Sequence, residues 1–327
     1  MAFIMGTNST LPFRITGETP INSTTSTHYD STYVDSGISM SPALAGALIY
    51  DFPSPMSEVW VHFEIDATGS STSAVDNPPI LLGHSGTPLF RLLPTNAVYA
   101  MEYWNGSTWV ALSGTNTKTS DVLTRHDIHI VMENSAGVIE WYVDDTLIAS
   151  YYADTIWTAA TQLNYFQLQS NLASGFFTVF SQIILADEST IGCKVFTHQI
   201  TADGAVTQFT GSFADYNMNA RSIPRVDTML YTTTDGAVET GVVENLLTTS
   251  LYIRGVQVTA LGRRSGGSLS KLNAVLRSSA ANYFSDDATL GYGNTRASKL
   301  WTTDPATGVD WTTSGVNAME VGVRVRS

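Results

Sequence analysis

In this chain of 327 residues, Glu64 and Asp66 are two carboxylates at alternate positions. Their type and spacing suit acid–base chemistry. They belong to the stretch VWVHFEID, in which apolar and polar residues alternate, and this pattern predicts a strand with one buried face. On such a strand the two carboxylates share the polar face. Cleavage of a glycosidic bond needs two carboxylates about 5 to 10 Å apart, so hydrolysis is one interpretation of the pair. The other is a polar strand face exposed to solvent.

Two further groups have suitable residue types without the spacing that chemistry requires. Asp144 and Asp145 lie between the apolar runs GVIEWYV and TLIAS, where a hairpin would reverse, and adjacent side chains in a turn diverge. His126 and His129 are three residues apart on a predicted strand, so they point to opposite faces and do not suit a shared zinc ion. No nucleophile motif with a partner base occurs, and we expect the protein not to be an enzyme.

Aromatic residues surround the strongest turn signal of the chain, Asn105-Gly106, in the predicted hairpin AVYAMEYWNGSTWVALSG. If the turn is two residues long, Glu102, Trp104 and Trp109 share one face. Aromatic rings stack on sugar rings and carboxylates accept hydrogen bonds from hydroxyls, so Tyr103 joins these three as candidate carbohydrate-binding residues. A structural or interfacial role for the tryptophans is the alternative.

Calcium is the one ion that the sequence favours, although no cofactor is required by any pattern in it. Asp76, Asn77 and Asp121 lie in predicted loops and carry the oxygen ligands that calcium prefers. They lack the spacing of an EF-hand loop, so they are candidates on residue type alone.

Composition excludes several classes of function. Acidic residues outnumber basic ones by 29 to 16, a net charge of −13, which argues against a nucleic-acid partner. Apolar runs fall short of the roughly 18 residues that span a bilayer, and the first residues lack the pattern of a signal peptide, so we expect neither membrane insertion nor secretion. The single Cys193 cannot form an intramolecular disulfide, which fits folding in a reducing cytoplasm.

Short strands separated by polar turns predict an all-β protein of two β-sandwich, jelly-roll-like domains. Residues 1–40 are rich in Ser, Thr and Asn and predict an extended N-terminal arm that docks on its own domain, a sister subunit or a larger assembly. Residues 41–190 predict the first sandwich. Residues 191–327 predict the second, because no helical pattern separates their strands.

The phrase RHDIHIVMENSAGVIEWYVDDTLIAS, followed later by GFFTVFSQIILAD, resembles laminin-G and concanavalin A-like lectin domains. That family has a strand, a turn with Gly, an aromatic-Tyr-Val-Asp-Gly hairpin and a closing core strand, and here Asp145 replaces the Gly. The resemblance implies a lectin-like first domain. The same scaffold carries family-16 glycoside hydrolases, whose catalytic strand reads Glu-x-Asp-x-(x)-Glu, but the second Glu is missing after Asp66.

Three later phrases resemble the C-terminal regions of structural proteins from tailed bacteriophages and gene transfer agents: FSQIILADESTIGCKVFT, LYIRGVQVTALGRRSGG and LWTTDPATGVDWTTSGVNAMEVGVRVRS. The resemblance implies a virion protein of the tail fibre, baseplate or head surface, with other virion proteins and further copies of itself as partners, and with a host surface glycan as a candidate ligand. A polysaccharide-degrading enzyme and a purely architectural capsid or baseplate protein are the alternatives.

Overall fold

The computed structural model describes residues 3–7, 14–17, 21–23, 37–40, 46–68, 80–94, 98–117, 122–169, 177–198, 200–211, 230–246 and 251–327. The chain divides into two compact units, Met1–Phe196 and Thr197–Ser327. Antiparallel strands dominate both units, which confirms the predicted all-β class with β-sandwich domains. In the part of the chain that is described, no helix has the length and hydropathy needed to cross a membrane.

The first unit is built from strands of two to eleven residues. In chain order they are β1 (Phe3–Thr7), β2 (Arg14–Gly17), β3 (Ile21–Ser23), β4 (Gly37–Met40), β5 (Gly46–Met56), β6 (Glu58–Thr68), β7 (Ile80–His84), β8 (Thr87–Pro94), β9 (Val98–Trp104), β10 (Trp109–Ala111), β11 (Asn116–Thr117), β12 (Thr124–Val131), β13 (Gly137–Val143), β14 (Thr146–Ala153), β15 (Leu163–Gln169) and β16 (Phe177–Ala186).

These strands form two sheets that pack face to face. The first sheet has the order β14-β13-β12-β6-β16-β4-β3, with β1 also on β16, and the second has the order β10-β9-β8-β7-β15-β5-β2, with β11 on β9. Their inner faces share one hydrophobic core, which contains Phe63 and Trp141 of the first sheet and Phe90 and Phe166 of the second. The unit is therefore a β-sandwich, and each sheet keeps an outer face that points away from this core.

Alternation along β6 and β12 determines which side chains enter the core. His126 lies on the inner face, where Trp141 Nε1–H donates to its Nδ1 over 3.0 Å and its Nε2 lies 3.1 Å from the Thr124 hydroxyl. Burial lowers the pKa of His126 to about 3, so the ring stays neutral. His129 lies on the outer face, which confirms the prediction that the two histidines point to opposite sides.

The hairpin between β13 and β14 reverses at Asp144-Asp145, as predicted. Both residues have positive φ, 47° and 64°, as a two-residue type I′ turn requires. Asp144 accepts a hydrogen bond from the backbone N–H of Arg125, whereas Asp145 forms an ion pair with the Arg125 guanidinium. The two carboxylates thus bind different groups of one arginine and stabilise the turn.

The described parts of residues 1–40 lie in the sheets of the first unit. β1 pairs with β16, β3 pairs with β4, which itself pairs with β16, and β2 pairs with β5. Met5 and Ile38 are buried in the core. These described strands contact their own domain, which is one of the three docking partners predicted for the extended arm.

The second unit has a larger and a smaller sheet and one described helix. Its elements are β17 (Ile200–Thr207), β18 (Val238–Val243), β19 (Val256–Gly262), β20 (Lys271–Ser278), β21 (Ala281–Phe284), β22 (Ala288–Thr289), β23 (Thr295–Trp301), α1 (Thr313–Ala318) and β24 (Glu320–Arg326). The larger sheet has the order β17-β18-β24-β20-β21, with β22 on β20, and the pair β19-β23 packs against β20. The helix begins after Thr312, whose side chain accepts a hydrogen bond from the Gly315 N–H.

Candidate functional site

The aromatic hairpin of the second sheet reverses one residue later than predicted. Gly106 and Ser107 occupy the centre of the turn, and Trp104 therefore pairs directly with Trp109. The Asn105 side chain explains the shift, because its Oδ1 accepts the backbone N–H groups of Ser107 and Thr108 over 3.1 and 2.9 Å. Gly106 supplies the positive φ of 93° that the turn needs.

Four side chains form a compact group on the outer face at this hairpin, and we call Arg91, Glu102, Trp104 and Trp109 the tryptophan cluster. The two indoles meet edge to face with centroids 5.6 Å apart. The Arg91 guanidinium lies 4.1 Å from the centroid of the Trp109 ring. Its Nε and Nη2 lie 2.7 and 2.5 Å from Glu102 Oε2, and all four residues are half-buried. The predicted sharing of one face by Glu102, Trp104 and Trp109 is confirmed.

Tyr103, the fourth candidate carbohydrate-binding residue, lies on the opposite face of β9. Its ring stacks on Trp157 with centroids 4.5 Å apart, and Tyr151 lies 4.9 Å away. It is 9% exposed. Tyr103 therefore belongs to the core under the hairpin rather than to the outer face, because neighbouring residues of a strand point to opposite sides.

The candidate calcium ligands Asp76, Asn77 and Asp121 lie outside the described residues. Across the described ranges, no three His, Cys, Asp or Glu side chains converge as a metal site would require.

Glu64 and Asp66 are not exposed to solvent, which corrects the interpretation of their strand face as a solvated surface. They lie on the outer face of the first sheet and are 3% and 0% exposed. Residues 187–196, which follow β16 and which we call the covering segment, lie across this face. Lys194 Nζ forms an ion pair with Glu64 Oε1 at 2.8 Å, and the Val195 N–H donates to the side chain of Gln182.

Beneath the covering segment, Asp127 connects three elements. Its Oδ1 lies 2.9 Å from His62 Nδ1 and accepts a hydrogen bond from the Thr190 hydroxyl over 2.6 Å. All three side chains are fully buried. The hydroxyl bonds to the carboxylate and not to the imidazole, so the group lacks the nucleophile–base contact that covalent catalysis uses. We interpret it as an anchor for the covering segment.

Beyond the covering segment, polar side chains of the outer face reach solvent at the strands β13 and β14. His129 lies between two carboxylates, 3.0 Å from Glu58 Oε1 and 3.1 Å from Glu140 Oε2, and its ring stacks on Trp60 with centroids 4.2 Å apart. Burial alone would raise the pKa of Glu140, but hydrogen bonds from Tyr152, His129 and Tyr142 outweigh it and lower that pKa.

Sequence reasoning found the tryptophan cluster except for Arg91, which is 11 residues from Glu102 along the chain. It also missed the anchor, since His62, Asp127 and Thr190 lie far apart in sequence. The available signal was the polar side of two adjacent alternating strands, β6 and β12, together with the polar stretch ADEST at 186–190.

No protein-family model matches the chain, and no curated protein matches it. Similar solved structures include the receptor-binding domain of botulinum neurotoxin type G (7% identity, TM-score 0.39), which covers 55% of this chain, while the match spans 44% of that domain. Two further similar structures are an endo-beta-1,4-glucuronan lyase from Trichoderma reesei (10% identity, TM-score 0.39) and a carbohydrate esterase of Shiga toxin-encoding bacteriophage phi24B (10% identity, TM-score 0.40). Each of these matches covers 54% of this chain and 90% of the other chain. Similarities at this level carry no information about ligand or activity.

Proposed function

We propose that the protein is a non-enzymatic structural component of a phage or phage-like particle, in the tail fibre, baseplate or head surface, and that its first unit binds neutral glycans through the tryptophan cluster. The observation that carries the binding proposal is the half-buried, partly exposed pair Trp104 and Trp109 on an outer sheet face. Indole rings offer apolar surface to the faces of sugar rings, while the indole N–H and nearby polar groups can bond to hydroxyls.

The preference for neutral glycans follows from the charges of the cluster. Arg91 is the cation of the cluster, and Glu102 neutralises it through a two-contact ion pair at 2.7 and 2.5 Å. A sugar carboxylate would have to compete with Glu102 for the guanidinium, and it would approach a first unit that carries 18 acidic and five basic residues. Electrostatic repulsion therefore disfavours acidic polysaccharides.

The degrading-enzyme alternative receives no support from the carboxylates that suggested it. Glu64 is buried and bound to Lys194 and Ser181, and the covering segment separates it from solvent. A general acid or nucleophile must contact the glycosidic bond. Substrate access would require the covering segment to leave.

Placement in a virion is supported by the phrases near the junction and the C-terminus that resemble phage structural proteins. Repeated copies on a particle suit a weak sugar site, because avidity converts weak contacts into firm attachment. Antibodies against the purified chain should label particles released by the bacterium that encodes it, seen by electron microscopy. Absence of the chain from those particles would contradict the placement.

Binding is tested with the purified full chain by affinity electrophoresis in gels that contain glucan, mannan or galactan, or polygalacturonate as the acidic probe. We expect retardation by a neutral polysaccharide and none by polygalacturonate. Combined Trp104→Ala and Trp109→Ala substitutions should weaken binding at least about tenfold, since loss of roughly 1.4 kcal/mol is tenfold in affinity. Tyr252→Ala, an exposed aromatic of the second unit, is the matched control and should bind as the parent does.

Glu102→Gln tests the charge argument separately. Removal of the carboxylate charge leaves Arg91 uncompensated, so we expect this variant to gain binding to polygalacturonate while it keeps binding to the neutral polysaccharide. Failure of every polysaccharide to retard the parent chain would favour the purely architectural role, and release of oligosaccharides during the assay would favour the enzyme.

A further inference from the structure

Charge is distributed unevenly along the chain. Residues 251–327 contain nine basic and five acidic residues, which gives a net charge of +4. The preceding 250 residues contain seven basic and 24 acidic residues, which gives a net charge of −17. The first unit alone has a net charge of −13. The net charge of the whole chain therefore hides a basic C-terminal region.

Part of this basic region is a pair of loops at one end of the small sheet. Residues 263–268 follow β19 and residues 291–294 precede β23, and we call them the Arg–Tyr loops. The Arg264 N–H donates to the Gly291 carbonyl over 2.7 Å, which ties the two loops together. They start where Gly262 pairs with Thr295, the last pair of β19 and β23.

The side chains of these loops are held by neutral groups. The Arg264 guanidinium donates to the Gly267 carbonyl and lies 5.7 Å from the ring centroid of Tyr292, which is 73% exposed. Arg263 is exposed. Among the described residues, neither arginine forms an ion pair, whereas Arg277 and Arg326 on the larger sheet of the same unit pair with Glu320 and Asp287.

We propose that the Arg–Tyr loops bind the acidic first unit of a second copy of this chain. Arginine and tyrosine are among the residue types enriched at the hot spots of protein interfaces, and a pre-oriented Arg264–Tyr292 pair loses little conformational entropy on binding. The loops carry Arg263 and Arg264, whereas the first unit has a net charge of −13, and opposite charge speeds association. The contact joins different surfaces of two copies, so it can extend to a third copy or close into a ring.

Self-association through these loops would bring several sugar sites together, as avidity requires, but it does not depend on sugar binding by a single chain. It is tested by sedimentation velocity of the full chain between about 20 and 500 mM salt, a range over which the screening length falls from roughly 20 Å to under 5 Å. We expect assemblies larger than a monomer at low salt that dissociate as salt rises. Arg263→Glu should raise the dissociation constant at least about tenfold, and Tyr292→Ala should raise it as well.

Lys271→Glu makes the same change of charge on the larger sheet of the second unit, where Lys271 is 40% exposed, and should leave assembly close to that of the parent. A monomer at every salt concentration would overturn the proposal, as would assembly that Arg263→Glu leaves unchanged. Binding of duplex DNA through Arg263 without self-association would also overturn it. If Arg263→Glu loses assembly but still binds a neutral polysaccharide, self-association and sugar binding are separate properties of the chain, and one proposal can fail without the other.

Discussion

The two outer faces of the first unit carry similar side chains in different surroundings. On the first sheet, Glu64 and Asp127 lie under the covering segment and are almost completely buried. On the second sheet, Glu102 and Arg91 lie beside two indoles that remain half-exposed. Both faces are the polar side of alternating strands. Alternation thus identifies the side chains that leave the core, but whether water or another segment covers them depends on the rest of the chain.

The two faces also differ in what a polar side chain contributes. A buried carboxylate that is hydrogen-bonded to its surroundings is costly to leave unpaired, whereas an exposed one can exchange its partner for water. The covered face is thus suited to stability. The open face is suited to binding.

The largest expected effect is on the anchor. Asp127→Ala removes the shared acceptor of His62 and Thr190 in a site without solvent access, and we expect the free energy of unfolding of the first unit to fall by about 3 to 5 kcal/mol. Glu58→Ala, which removes a 48% exposed carboxylate from the same sheet, should cost less than about 1 kcal/mol. Urea unfolding followed by tryptophan fluorescence measures both, and equal losses would contradict the difference between covered and exposed positions.

His126, on the inner face of the same sheet, should make the free energy of unfolding depend on pH. The pKa of His126 is lowered to about 3 in the folded protein from 6.5, so between these values the unfolded chain binds a proton that the folded protein does not. The free energy of unfolding should therefore fall as pH falls below about 6.5, by up to roughly 1.4 kcal/mol per pH unit from this group. His126→Gln should be less stable at pH 7 and should show a shallower slope between pH 4 and 6, as measured by urea unfolding. An unchanged slope would show that His126 titrates normally.

Truncation on the open face should be tolerated. Trp104→Ala is expected to lower the free energy of unfolding by about 1 kcal/mol, because the indole is only half-buried and packs edge to face on Trp109 of the same outer face. Trp141→Ala, which empties a fully buried position in the core, should cost about 3 to 5 kcal/mol. Thermal unfolding of the two variants checks the contrast. A loss at Trp104 as large as that at Trp141 would make the tryptophan cluster structural rather than available for binding.

The smallest effect is expected where the cover ends. Tyr152 is 61% exposed and its hydroxyl donates to Glu140 over 2.6 Å. Tyr152→Phe should cost about 0.5 kcal/mol, because water can replace the lost bond. Urea unfolding of Tyr152→Phe and Asp127→Ala side by side would show whether polar groups contribute less to the free energy of unfolding at the edge strand than under the covering segment. A loss above about 2 kcal/mol would mean that the protected region reaches the edge strand.

Local patterns in the sequence predicted much of this architecture. Alternation located β6, the strand predicted to carry His126 and His129 is β12, and the Asp144-Asp145 hairpin was predicted from its flanking apolar runs. The turn after Trp104 was misplaced by one residue because the Asn105 side chain, and not the Asn-Gly dipeptide itself, sets the position of reversal. The helix α1 was missed, since six residues show too little periodicity to be distinguished from a loop.

The covering segment could not be predicted because it depends on contacts between distant residues. Lys194 and Glu64 are 130 residues apart, and Thr190 and Asp127 are 63 apart. Nothing in the local sequence of β6 distinguishes a solvated polar face from a covered one. The same holds for Arg91, whose role in the tryptophan cluster follows from the register of β8 and β9.

Hydroxyl-radical footprinting with a neutral polysaccharide, read by mass spectrometry, shows which outer face of the first unit the ligand contacts. We expect oxidation of Trp104 and Trp109 to decrease several-fold when the polysaccharide is added, while oxidation of Tyr152, at the uncovered edge of the first sheet, stays the same. Protection of Tyr152 without any change at Trp104 and Trp109 would place the ligand on the other face and contradict glycan binding by the tryptophan cluster.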